Sequence, residues 1–113
     1  MKVNKIIIGI TLTLALTPFF VVNTAMAADA SAGKAIYDKQ CVSCHAADGK
    51  GNLDLAKALG EKELNIVGKE TKQKSDEVLL KVIADGAGKM PANKKLTKDE
   101  QKAVLQYSRS LAK

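Results

Sequence analysis

Both cysteines and the single histidine of this 113-residue chain fall within five consecutive positions, Cys41-Val42-Ser43-Cys44-His45. Two thiols one helical turn apart, followed at once by an imidazole, can close a disulfide, cycle as a dithiol, ligate a metal or bond to a porphyrin. A zinc site would find two thiolates and one imidazole, one ligand short of the usual structural set. A thioredoxin-like dithiol sits in a strand–helix setting, and no strand pattern is visible here. A plain disulfide would leave His45 without a role, and its tiny loop would stabilise little. The remaining chemistry uses all three residues, because Cys-x-x-Cys-His is the pattern of covalent c-type haem attachment. With Cys41 and Cys44 on one turn at a helix end, both thiols can reach the two vinyl groups along one haem edge. His45 is then directed at the iron from the same side.

A second axial histidine is impossible, since the chain has no other. Met90 lies 45 residues beyond His45, in the run Gly86-Ala87-Gly88-Lys89-Met90-Pro91. Its thioether is a soft donor that favours Fe(II), so a His/Met pair raises the reduction potential and suits an electron carrier. Methionine also fills gaps in cores, but Met90 sits in a glycine-rich loop and not on an apolar helix stripe. Lys89, deprotonated at high pH, is an alternative ligand. An open sixth position is another, and it would imply gas binding or peroxidase-like chemistry.

The elements that must position these residues begin after a leader. Met1-Lys2-Val3-Asn4-Lys5 is a short basic start, Ile6 to Val22 is an uncharged run of 17 residues, and Ala25-Met26-Ala27 is a small-x-small site. That is the order of a secretory signal peptide over residues 1–27. Cleavage after Ala27 leaves one domain, residues 28–113, of 86 residues. A retained anchor is the alternative, but the run is short of the roughly 20 apolar residues a spanning helix needs, and Pro18 interrupts it.

The net charge of +6 falls to +4 once Lys2 and Lys5 are removed, leaving 16 basic and 12 acidic residues. Two haem propionates would lower it by about two more charges. Such a mildly basic surface of mixed sign suits an acidic protein partner and is too weak to argue for nucleic acid. Beyond the leader there is no Trp or Phe, and Tyr37 and Tyr107 are the aromatic residues. A chain this small and this poor in bulky side chains needs a staple or cofactor at its centre.

Apolar spacing and caps predict an all-α domain of three to five helices packed around one haem. A first helix runs to about Gln40, with Asp29 or Ser31 as its cap. Residues 46–51 read as a loop, and Asn52 caps a short helix ended by Gly60. Residues 61–74 read as irregular. Ser75 opens a helix with the apolar face Val78, Leu79, Val82 and Ile83, stopped by Gly86. Thr97-Lys98-Asp99-Glu100 is a capping box for a last helix carrying Ala103, Val104, Tyr107 and Leu111.

The elements Gly33-Lys34-Ala35-Ile36-Tyr37, Cys41-Val42-Ser43-Cys44-His45 and Gly88-Lys89-Met90-Pro91, with a last helix bearing Tyr107, resemble the class I c-type cytochromes over essentially the whole mature chain. The resemblance implies that the first and last helices cross at Gly33, with Tyr37 and Tyr107 near the crossing. Many such cytochromes carry a proline after the motif whose carbonyl receives the axial histidine's N–H. This chain has no proline between Ala46 and Met90, so another carbonyl, expected within residues 46–60, must take that bond.

These readings together point to a periplasmic, monomeric electron carrier and not an enzyme. It would bind one covalent haem c through Cys41 and Cys44, with His45 and Met90 on the iron, and it would meet redox protein partners bearing acidic docking surfaces. Lys50, Lys89, Lys94 and Lys95 are expected to ring an exposed haem edge and steer those encounters, or else to be ordinary solvated surface. The competing classes are a haem sensor or enzyme with a vacant iron position and a thiol oxidoreductase without haem.

Overall fold

The computed structural model describes residues 24–113, with side chains placed from residue 29 onward. Most of the expected leader, residues 1–23, lies outside the described residues. Seven helical segments follow one another: α1 Thr24–Gln40, α2 Val42–His45, α3 Leu53–Leu59, α4 Glu61–Leu64, α5 Lys69–Gln73, α6 Asp76–Asp85 and α7 Lys98–Ser110. Among the described residues there is no strand, only an isolated bridge between Ala87 and Met90. No described helix is long and apolar enough to cross a membrane.

Helix boundaries follow the local chemistry closely where caps are present. The Asn52 side chain accepts the Asp54 N–H at 3.0 Å and Ser75 Oγ accepts the Val78 N–H at 3.4 Å. At α7 the capping box is complete: Thr97 Oγ1 accepts the Glu100 N–H, and the Glu100 carboxylate accepts the Thr97 N–H. Two stretches depart from the expectation. Helix α1 already includes Thr24, the first described residue, upstream of Asp29 and Ser31; the alanine-rich run before them is strongly helix-favouring and nothing in it stops a turn. Residues 61–74 are not irregular but hold α4 and α5, turns of four and five residues. Segments this short have no periodicity to read and exist through tertiary contacts. They raise the helix count above the three to five expected.

The frame is the crossing of α1 and α7. A Cβ built at Gly33 would overlap the carbonyl of Ala103 and lie 3.1 Å from the Tyr107 Cβ, so no other residue lets the two backbones approach this closely. One turn on, the rings of Tyr37 and Tyr107 meet edge to face with centroids 5.3 Å apart, the geometry favoured by aromatic quadrupoles. Tyr37 is fully buried and its hydroxyl donates to the Ala46 carbonyl at 2.7 Å. With Leu96 and Val104 it forms a thin core, flanked by Ile36, Val42, Ile66, Ile83 and Leu111. That core lies against one side of a large internal cavity.

Candidate functional site

The cavity measures about 930 Å³ and is walled by residues of all seven helical segments together with the loop before α7, at the upper end of typical ligand-pocket volumes. Cys41, Cys44, His45 and Met90 all line it. The fold therefore brings together the four residues singled out in the sequence, although Met90 is far from the other three along the chain.

Cys41, Cys44 and His45 are presented by a single turn. The Cys41 carbonyl accepts the N–H groups of Cys44 at 3.2 Å and His45 at 2.9 Å. The chain then reverses, and the Gly51 and Asn52 N–H groups return to the carbonyls of His45 at 3.0 Å and Cys44 at 2.9 Å. The Asn52 amide donates in addition to the Ser43 carbonyl at 3.1 Å. These bonds satisfy the carbonyls that a helix end otherwise leaves orphaned.

His45 is 8% exposed, and its Nδ1 lies 2.7 Å from the Leu64 carbonyl. A carbonyl only accepts, so Nδ1 carries the proton and Nε2 keeps its lone pair. The acceptor falls beyond residues 46–60, where it was expected. The α4 turn carries Leu64 back over the motif, and the Ile66 N–H fastens the strand of chain behind it to the Gly49 carbonyl at 2.9 Å. Gly51, at φ +101°, makes the approach possible, since a Cβ there would stand 2.8 Å from the Leu64 Cβ. No signal in the sequence marks Leu64, because every residue has a carbonyl.

Burial, with a smaller contribution from Cys44, pushes the Cys41 thiol up to about 11. Cys41 is therefore protonated at neutral pH, the opposite of the acidic thiolate that disulfide exchange uses. Among the described residues no three His, Cys, Asp or Glu side chains converge as an ion site, so the zinc alternative gains no further ligand. The donor set instead fits an iron porphyrin: an apolar chamber, two thiols at one wall, an imidazole with its Nε2 free, and a thioether.

Met90 is half-buried in a tight turn. Its N–H donates to the Ala87 carbonyl at 2.9 Å, and the Ala87 N–H returns to the Met90 carbonyl at 3.1 Å. Gly86 sits at φ +78° beneath the turn, where a Cβ would come within 2.5 Å of the Met90 carbonyl oxygen.

Of the four lysines expected around the cavity mouth, Lys89 lines it; Lys50, Lys94 and Lys95 are exposed but do not. Lys62, Lys72, Lys74 and Arg109 stand there instead, with Glu63 and Glu70 among them. Three of these lie on or beside α4 and α5, the turns that periodicity could not reveal. Arg109 ties α7 to the start of α6, its guanidinium donating to Asp76 at 2.6 Å and to the Lys74 carbonyl at 2.8 Å.

Comparison with known proteins agrees with this geometry. Residues 28–107 match the family model described as cytochrome c oxidase, cbb3-type, subunit III. Cytochrome c6 of Leptolyngbya boryana is 36% identical over 81 residues, covering 71% of this chain and 89% of the relative. Cytochrome c6 of Gloeothece citriformis is 30% identical over 105 residues, covering 92% of this chain and 91% of the relative. The solved structure of the KustC0563 c-type cytochrome superposes with a TM-score of 0.61 at 31% identity, covering 72% of this chain and 98% of that one. On sequence, fold and donor set alike, the chain belongs to the cytochrome c family, as a small class I c-type cytochrome with one covalently bound haem c.

Proposed function

We propose that this chain is an exported, monomeric electron carrier, with its haem joined through Cys41 and Cys44 and its iron held between His45 and Met90. The observation that carries the reading is the convergence of one imidazole, locked by the Leu64 carbonyl, and one thioether on the cavity that both cysteines line. When bound, the haem supplies a one-electron iron couple.

The protein's own part is to hold and tune. The bond from Nδ1 to Leu64 sets the tautomer of His45, fixes the ring and raises its basicity as a ligand. Met90, as the second residue holding the iron, would favour the reduced state. Leu79, Val82, Ile83, Leu96, Val104 and Leu105 give the chamber an apolar lining, which keeps water from the centre and disfavours the extra charge of the oxidised state. With His45 and Met90 both bound to the iron, no position would be left for a substrate, so the chain would act as a carrier and not as an enzyme. Lys89 is unsuited to be the ligand in place of Met90, since its ammonium is engaged with the Ala58 carbonyl at 2.8 Å.

The mouth of the cavity is the docking surface for an acidic redox protein. Lys62, Lys72, Lys74 and Lys89 there outnumber Glu63 and Glu70, and such a rim raises encounter rates with a negative partner while adding little affinity. The basic start, apolar run and small-x-small site over residues 1–27 support export to the periplasm.

A redox titration of the holoprotein with its spectrum recorded throughout tests the reading. The wild type should titrate as a single one-electron couple and resist CO when reduced. Met90→Ala should lower the potential by on the order of 0.1 V, within the roughly 0.8 V that axial ligands span, and should bind CO readily. An unchanged potential in Met90→Ala would remove Met90 from the iron.

A further inference from the structure

The Met90 turn is fastened on two sides by different means. On the α6 side the bonds are all backbone: the Ala87–Met90 pair, the Gly86 N–H to the Val82 carbonyl at 2.9 Å, and the Asn93 N–H to the Ile83 carbonyl at 3.0 Å. On the opposite side a single side chain crosses to a different element. Lys89 Nζ donates to the Ala58 carbonyl at 2.8 Å, a contact spanning 31 residues. Ala58 lies in the last turn of α3, where carbonyls lack helical partners and a lysine ammonium is a natural terminator. Gly88 beside it stands at φ +56° with open space around its Cβ position, and Lys89 supplies the side-chain hydrogen bond from this flank of the turn to another element.

We infer that Lys89 is a latch: by capping α3 across the cavity mouth it holds the Met90 turn closed and keeps competing ligands off the iron. It is a positioning residue, acting through Met90, and the inference rests on Met90 being an iron ligand. A turn tied only to α6 can swing outward about Gly86 and Gly88. A turn also tied to α3 must first break a hydrogen bond to a charged donor. Lys89 thereby has a role beyond the charge it adds to the rim.

The test is competition by added imidazole for the ferric holoprotein, read from its absorption spectrum, in wild type, Lys89→Leu, Lys89→Arg, Met90→Ala and the Lys89→Leu/Met90→Ala pair. Lys89→Leu keeps an apolar side chain, removes the donor and adds no group that can bind iron. It should tighten imidazole binding by about 3- to 10-fold, the equilibrium worth of one such hydrogen bond, while Lys89→Arg should stay near wild type. In the Met90→Ala background, where no methionine remains to be displaced, Lys89→Leu should change nothing, so the pair is non-additive. Should Met90→Ala tighten binding but Lys89→Leu leave it unchanged, the latch is overturned and the ligand assignment stands. An equal gain from Lys89→Leu in both backgrounds also overturns it, because the lysine is then not acting through Met90. If Met90→Ala itself changes nothing, the ligand assignment fails and the latch with it.

Discussion

His45 and Met90 line the same cavity, yet the two sides are held very differently. His45 is buried, is held by its own N–H to the Cys41 carbonyl and by the Gly51 N–H to its carbonyl, and is bonded through its ring to Leu64. Met90 is half-buried, presented by a two-bond turn with glycines on either side of Ala87, and steadied across the mouth by one exposed lysine. Local opening draws on regions with few buried contacts and solvent-exposed bonds, so the methionine side is where this molecule yields first. On the proposed ligation a carrier would tolerate that asymmetry: the covalent, histidine side would retain the cofactor, while the methionine side would set the potential and admit small ligands only on opening.

The largest effect should come from breaking the retaining side outright. Replacing Cys41 and Cys44 together with alanine should let the haem be extracted from the denatured protein, whereas it stays attached in the wild type. Circular dichroism of the haem-free chain should show a loss of cooperative unfolding. Keeping even half of a 930 Å³ cavity dry would cost about 11 kcal/mol at roughly 24 cal/mol per Å³, comparable with the whole stability of a small domain, about 5–15 kcal/mol.

A matched pair of glycine substitutions sharpens the comparison. Gly86→Ala forces a Cβ onto the Met90 carbonyl and Gly51→Ala forces one onto Leu64, both at positive φ, so each should destabilise by about 1–3 kcal/mol. Denaturant titration of the holoproteins measures this. Their other effects should differ: Gly86→Ala should admit imidazole to the ferric iron, while Gly51→Ala should shift the potential by disturbing the bond between His45 and Leu64, without opening the iron. Equal imidazole binding by the two variants would end the claim that the methionine side yields first.

Tyr37 tests the frame behind His45. Its hydroxyl is buried against the Ala46 carbonyl, and burial holds its ionisation well above the ordinary phenol range. The folded protein keeps the neutral phenol while the unfolded chain ionises near pH 10. The stabilisation is therefore complete below that pH and is lost as the pH rises above it. Tyr37→Phe should lose about 1 kcal/mol at pH 7 with the hydrogen bond, and its stability should fall less steeply than wild type between pH 9 and pH 11 (roughly spanning that phenol value). The smallest effect belongs to Asp76→Asn, which weakens an exposed pair with Arg109 worth about 0.2–1 kcal/mol. It should shift the melting temperature slightly and leave imidazole binding as in wild type.

Much of the fold was legible because its signals are local. Asn52, Ser75 and Thr97 are caps whose side chains bond within three residues, and Gly60 and Gly86 end the helices they were expected to end. The crossing at Gly33 was accessible only through resemblance, because a glycine that admits a neighbouring backbone looks like any other glycine in a sequence. Turns α4 and α5 escaped for want of length. With them went the identity of most of the basic rim, since Lys62, Lys72 and Lys74 lie on or next to those turns.

The amino-acid sequence by itself determined the chemistry. Covalent haem attachment needs two thiols and an imidazole at fixed short spacing, and Cys41, Cys44 and His45 are neighbours along the chain whatever the fold does around them. The sequence also offered Met90 as the candidate second ligand, beside Lys89 and an open position. Tertiary structure alone decided that the Leu64 carbonyl accepts the hydrogen bond from the histidine ring, that Lys89 spans to Ala58, and which lysines surround the mouth. Those contacts join residues 19 and 31 positions apart and use backbone carbonyls, which carry no residue-specific mark, so only the packed chain selects among them.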